Sequence, residues 1–169
     1  MNLSLVELVV LDSDISSAFA KIDKLGKLKE LFSKHELKIT PEIYQELAVA
    51  LDYGYHFPLK IFDEFDIISL SEGEEKEFER ILTGVRSNLG KGEIEAIVVC
   101  ENRGGVFCSI DRSALSFAEE RGIQTLGLHM ILKAFWRSEI CTKKEVKEMI
   151  KEIEEKDNTK IKERKLIFS

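Results

Sequence analysis

Two carboxylates, Glu93 and Glu95, open the stretch GKGEIEAIVVCENRGG at residues 90–105. Ile94 and the run Ala96–Cys100 make the helix behind them apolar nearly all round, which predicts burial. Gly104-Gly105 ends that helix, and Val106–Ile110 reads as a short apolar strand with Asp111 at its C-terminal tip. Carboxylates are rarely buried unless paired or bound to a cation. Acids at the start of a buried helix and at the tip of a buried strand therefore suggest half of an acidic metal site. Upstream, Asp12 follows the apolar strand Val6–Leu11, and Glu46 sits on an expected helix Pro41–Leu51. Hard divalent cations take oxygen ligands, and Mg²⁺ keeps several waters while using a few carboxylates and substrate phosphate. Such a site can hydrolyse phosphodiesters, because the ion acidifies and orients a water and stabilises charge on the phosphate. The expected ligands are Asp12, Glu46, Glu93 and Asp111. Glu93 and Glu95 point about 200° apart on a helix. Glu93 shares the face of Ile97 and Cys100 and is the favoured ligand, which leaves Glu95 to a second metal or to solvent. Each acid also has a plainer role: Asp12, Asp14 and Asp111 suit helix capping, and Glu46 suits a solvated helix face.

The elements that must position these acids alternate. After Asp12-Ser13-Asp14 come helical segments at Ile15–Ile22 and Leu25–Phe32, then a brief strand Leu37–Ile39. Thr40-Pro41 starts the helix of Glu46, with proline at the first helical position, where its missing N–H costs nothing. An aromatic loop (Tyr53–Pro58) and a strand (Phe65–Leu70) follow. Ser71 and Glu74 have capping-box spacing for a helix reaching about Ser87, and Thr142 and Glu145 repeat that spacing before an amphipathic helix Lys143–Glu155. Between them, a helix Ser113–Arg121, a strand Ile123–Leu126 and a helix Gly127–Arg137 complete the pattern. Short, continuous apolar strands alternating with helices predict a parallel sheet covered on both faces. Ligands of such sheets collect outside the carboxyl ends of the strands. Asp12 and Asp111 therefore fall on one edge.

At 169 residues with 44% hydrophobic content, the chain fits one ordered domain, expected over 1–155 with a charged C-terminal tail over 156–169 that is mobile at its start. No run approaches the roughly 20 apolar residues of a membrane span, and no signal peptide is read at the N-terminus. Cys100, Cys108 and Cys141 form no CxxC pair and read as core thiols, with a reducing cytoplasm as the expected setting. The net charge of −6 counts against a simple nucleic-acid-binding module but not against a nuclease whose carboxylates draw cations.

In order along the chain, VVLDSDI (9–15), ITPEIYQEL (39–47), GKGEIEAI (90–97) and FCSIDRSAL (107–115) resemble the motifs of the PIN-domain ribonucleases. The likeness is to VapC-like toxins and prokaryotic relatives with a Gly-Glu-x-Glu-Ala-Ile motif, and it covers residues 6 to about 155. Asp14 stands where members often have Asn or Ser, and Ala114 where many carry Arg. The resemblance implies a three-layer α/β/α Rossmann-like fold with about five short parallel strands, Mg²⁺ or Mn²⁺ dependence and cleavage of single-stranded RNA. It also implies homodimers and, for toxin members, a small antitoxin partner. Ser13 and Ser109 are placed to hydrogen-bond the carboxylates or substrate, and Arg80, Arg86, Lys91 and Arg112 flank the expected cleft. As exposed basic residues, those four also fit plain solvent-facing charge. Two rivals stand beside this reading. Asp12-Ser13-Asp14 after an apolar strand also fits the Asp-x-Asp nucleophile motif of haloacid-dehalogenase-type phosphatases, although Glu93 would then go unused. The other is a PIN-like RNA-binding or scaffold domain without activity, against which acids at all four places argue. The helix Lys143–Glu155 and the tail are candidate partner or dimer surfaces, or simply a covering layer.

Overall fold

Valine, leucine and phenylalanine in short runs build the centre of the molecule. The computed structural model describes residues 3–84 and 88–169. Strands β1 (Leu8–Leu11), β2 (Glu36–Ile39), β3 (Asp66–Ile67), β4 (Val106–Ser109) and β5 (Gln124–Gly127) form one sheet in the order β3-β2-β1-β4-β5. Every neighbouring pair is parallel. Val9, Val10, Leu11, Val106, Phe107 and Cys108 in the two central strands are fully buried, so β1 and β4 are covered on both faces.

The helices are α1 (Ser13–Lys21), α2 (Leu25–Leu31), α3 (Pro41–Asp52), α4 (Phe57–Glu64), α5 (Glu72–Gly84), α6 (Lys91–Arg103), α7 (Arg112–Glu120), α8 (Leu128–Arg137), α9 (Lys143–Lys156) and α10 (Lys165–Phe168). From β1 the chain steps outward to β2 and β3, then returns across the sheet to β4 and β5. Right-handed crossovers put the helices of those two halves on opposite faces. Accordingly α6 packs on β1 and β4, α7 on β4 and β5, and α5 outside α6, while α1 packs with α4 and α9. The result is the three-layer α/β/α arrangement. The strand order reverses between β1 and β4, where ligands of open α/β sheets bind. Leu11 pairs with Cys108, and the Asp12 N–H donates to the Cys108 carbonyl at 3.0 Å. Asp12 and Asp111 thus flank the reversal.

Several expectations shift. The aromatic loop is shorter than expected, ending at His56, and α4 follows it, with Pro58 in its first turn and Ile61 turned to the core. The strand expected over Phe65–Leu70 shrinks to Asp66–Ile67, since at the sheet edge it has only β2 to pair with. The end of the helix expected to reach Ser87 lies outside the described residues. The tail over 156–169, expected to be mobile at its start, is docked. Ile161 and Ile167 are buried, and the Trp136 indole Nε1 donates to the Ile167 carbonyl at 2.7 Å. In α9, Val146, Met149, Ile150 and Ile153 are buried against the body, so this helix is a covering layer. All three cysteines are buried free thiols. Among the described residues no helix is long and apolar enough to cross a membrane.

Candidate active site

The last residues of β1 and β4 set the first two acids. Each strand ends where an aspartate caps the next helix: Asp12 Oδ1 accepts from the Ile15 N–H at 2.8 Å, and Asp111 Oδ1 from the Ala114 N–H at 2.9 Å. Capping and site geometry coincide here, because helix starts that follow parallel strands all lie on one edge. Asp12 is only 2% exposed, and its second oxygen, Oδ2, is buried with no hydrogen-bond partner. Burial pushes its carboxyl up to about 8, against the pull of the Ser109 hydroxyl and the Ile15 N–H, with Asp14 and Glu93 raising it further. A buried carboxylate oxygen without a donor is costly unless something positive reaches it.

Glu46 and Glu95 join α3 and α6 by a reciprocal arrangement. The N–H of the second residue of α6, Gly92, donates to Glu46 Oε1 at 3.1 Å, and the N–H of Glu42, the first that α3 offers after Pro41, donates to Glu95 Oε1 at 2.8 Å. Each helix therefore caps its neighbour's start with a carboxylate, meeting donors that have no partner within their own helix and using the favourable end of its dipole. A Cβ at Gly92 would come within 2.8 Å of Glu46 Oε1, so a larger residue there would push the Glu46 carboxylate aside. Ser13 Oγ donates to Glu46 Oε2 at 2.9 Å, which ties α3 to the loop of Asp12. Glu95, expected at a second metal or in solvent, is buried at 4% exposure and spends an oxygen on α3. Burial raises its carboxyl above the usual range, with the Glu42 N–H and Thr40 hydroxyl opposing.

Glu93 turns the other way, with Oε2 accepting from the Gly90 N–H at 3.0 Å. Half-buried, its carboxyl is raised by burial, against the Gly90 N–H, and then by the charges of Asp111, Asp14 and Glu46. Asp14 is raised by burial, then by Asp157, Glu46 and Asp111, with Lys21 opposing. At the β1/β4 edge Asp12 thus stands in the field of Asp14 and Glu93, and these two stand in the fields of Glu46 and Asp111. Asp14 was not among the expected ligands. The alternation of Asp12-Ser13-Asp14 hides that the first turn of α1 keeps both acids near the edge. No group of three or more His, Cys, Asp or Glu side chains is arranged to hold a metal among the described residues. The acids crowd without closing on a point.

A family model described as a PIN domain matches residues 8–166. The chain belongs to the PIN-domain family. No curated protein matches it. PIN domains are usually nucleases, and membership sets aside the phosphatase reading of Asp12-Ser13-Asp14. The residues of this PIN domain suit a hard divalent cation: the site offers carboxylate and hydroxyl oxygens, and the buried Asp12 Oδ2 lacks a donor.

The remaining candidates divide. Ser109 is buried and its Oγ accepts from the Asp111 N–H at 3.0 Å, bracing the strand tip. Arg112 projects into solvent and pairs with Glu163 at 3.3 Å. Arg80 is held by both Glu77 oxygens, a contact local to α5. Lys91 is exposed at the first turn of α6. Arg86 lies outside the described residues.

Proposed function

We propose that this PIN domain is a divalent-metal-dependent endoribonuclease that hydrolyses phosphodiester bonds of single-stranded RNA. The observation that carries the reading is Asp12: a buried carboxylate with an unpartnered oxygen, in the field of Asp14 and Glu93, which themselves stand in the fields of Glu46 and Asp111, at a sheet-reversal edge. Asp12, Glu46, Glu93 and Asp111 would hold Mg²⁺ or Mn²⁺. Because the acids crowd without closing, they suit an ion that keeps waters and takes a few carboxylates plus a substrate phosphate. When bound, the ion supplies positive charge at the phosphate and a more acidic water. The chain's own part is to aim oxygens and to bind substrate. Ser13 and the Gly92 N–H hold Glu46 in place, Ser109 braces Asp111, and the Gly90 N–H orients Glu93. The proton that burial keeps on Asp12 leaves when a cation binds, so cation affinity rises with pH.

On the resemblance of the ordered motifs alone, the reading extends to a cytoplasmic, homodimeric toxin held by a small antitoxin. Co-purification with the product of a neighbouring small gene tests that extension separately. The central test is calorimetric titration with Mn²⁺ alongside cleavage of labelled single-stranded RNA. Cleavage in Mg²⁺ or Mn²⁺, and none in EDTA, is the expected result. Folded protein that neither binds Mn²⁺ nor cuts RNA would sink the reading.

A further inference from the structure

Beside Asp111 lies a groove that none of the acids uses. Its walls are the residues on either side of that acid, Ile110 and Arg112, then Leu128 and Met130 of α8, and the docked segment Thr159–Glu163 opposite; it encloses about 510 Å³. That volume is within the roughly 300–1,000 Å³ of small-ligand sites. Its lining includes the apolar Ile110, Leu115, Leu128 and Met130, the last 50% exposed. Three cations line it against one acid: Lys160 and Lys162 are exposed and enter no ion pair among the described residues, and Arg112, next to Asp111 in the chain, pairs with Glu163.

The lysines are carried on a fixed backbone. Between them Ile161 is buried, and its N–H donates to Glu154 Oε1 at 2.9 Å. The Lys162 carbonyl lies 2.6 Å from His129 Nε2, and Arg164 closes the segment onto Glu154. Burying the residue between two lysines turns the pair outward together. In a chain of net charge −6 whose site is a cluster of carboxylates, such a lining is where an anionic polymer finds local attraction. Apolar and cationic side chains lining one groove match the two parts of a nucleotide unit, its base and its phosphate.

We propose that this groove is a nucleotide subsite of the active site, in which Lys160, Lys162 and Arg112 hold phosphates of single-stranded RNA flanking the bond to be cut and the apolar side chains of the lining receive a base. The proposal rests on the reading of the site as a single-strand ribonuclease. Arg112 is restrained by Glu163 in an exposed pair, which is a weak contact that a phosphate can replace. The C-terminal segment is thereby part of the substrate path.

The test is fluorescence anisotropy of the full chain with a short labelled single-stranded RNA in EDTA, so that no cleavage is required. K160Q/K162Q should weaken binding about tenfold and flatten the salt dependence by roughly 1.4 in slope, about 0.7 for each phosphate no longer neutralised. E163Q, which frees Arg112, should tighten binding by about twofold to threefold, on the scale of one weak exposed ion pair. A control, K76Q/K151Q, removes the same charge from exposed lysines of α5 and α9 and should leave affinity and slope unchanged. Wild-type protein without measurable affinity, or K160Q/K162Q binding as wild type does, overturns the subsite and leaves the groove to a protein partner. Equal losses in both double variants overturn it too, in favour of diffuse charge. Parallel cleavage in Mn²⁺ separates the two ideas: no cleavage by wild type, with binding still dependent on Lys160 and Lys162, refutes the ribonuclease and keeps the groove.

Discussion

Asp12 and Glu74 are both 2% exposed, yet the fold treats them in opposite ways. Glu74, at the start of α5, receives the Arg103 guanidinium on both oxygens, Nε at 3.0 Å and NH2 at 2.7 Å, and the Ser71 N–H at 2.8 Å. Burial raises its carboxyl, but these donors outweigh it and hold Glu74 below the usual carboxylate range. Asp12 has the Ser109 hydroxyl and the Ile15 N–H beside it but no cation, keeps its second oxygen without a partner and has Asp14 and Glu93 around it, and it is raised to about 8. The chain carries a cation for Glu74 and none for Asp12. A buried acid that the protein itself neutralises is structural. One that it leaves unneutralised among other acids marks the place where a cation from outside is expected.

The largest effect should follow removal of the unneutralised acid. Asp12→Asn is expected to reduce RNA cleavage by on the order of a thousandfold, the scale of losing a group that stabilises transition-state charge, while the metal-free protein becomes more stable at alkaline pH. For a carboxyl raised to about 8, the native state holds a proton that the unfolded state gives up near 3.8. Its stabilisation is therefore complete below about pH 4 and lost as pH rises through about 8, at no more than about 1.4 kcal/mol per pH unit. Urea melts from pH 5 to 8 should show that decline in wild type, a flatter profile in the variant, and recovery with Mn²⁺. A variant with the wild-type pH profile would erase the contrast.

Arg103→Met tests the other pole. Leaving Glu74 buried without its guanidinium should cost roughly 2–3 kcal/mol, below the usual range for a broken buried pair because Arg103 is partly exposed. Chemical denaturation reads the loss, and calorimetry should find Mn²⁺ affinity unchanged. Gly92→Ala belongs between the poles. Its added Cβ displaces the Glu46 carboxylate, and Mn²⁺ affinity should fall about tenfold, as when an outer contact of a ligand is disturbed. The smallest change is expected of Glu95→Gln, which keeps an acceptor for the Glu42 N–H. It should lower stability by about 1 kcal/mol or less and leave cleavage near wild type. A loss of cleavage matching that of Asp12→Asn would move Glu95 from helix capping into the site.

Much of this was legible locally. The runs VVL and VFCS announced buried parallel strands, and Pro41, Ser71 and Thr142 announced helix starts, because strand burial and capping act within a few residues. The solvent alternative for Glu95 fails for a matching reason. Its angular distance from Glu93 is a property of one helix, but the N–H that it meets lies 53 positions away. Only the start of the tail departs from expectation: charge dominates its composition, while Ile161 docks once α9 offers a surface.

The order and spacing of the acids, the alternation of strand and helix, and hence the edge that Asp12 and Asp111 share were determined by the sequence itself. Parallel topology turns strand ends into neighbours whatever the details of packing. Tertiary structure alone decided which acids gained partners: Arg103 for Glu74, the α3 start for Glu95, the Gly92 N–H for Glu46, and no donor for Asp12 Oδ2. The free energy of a buried charge depends on donors brought in from distant parts of the chain, and periodicity contains no record of them.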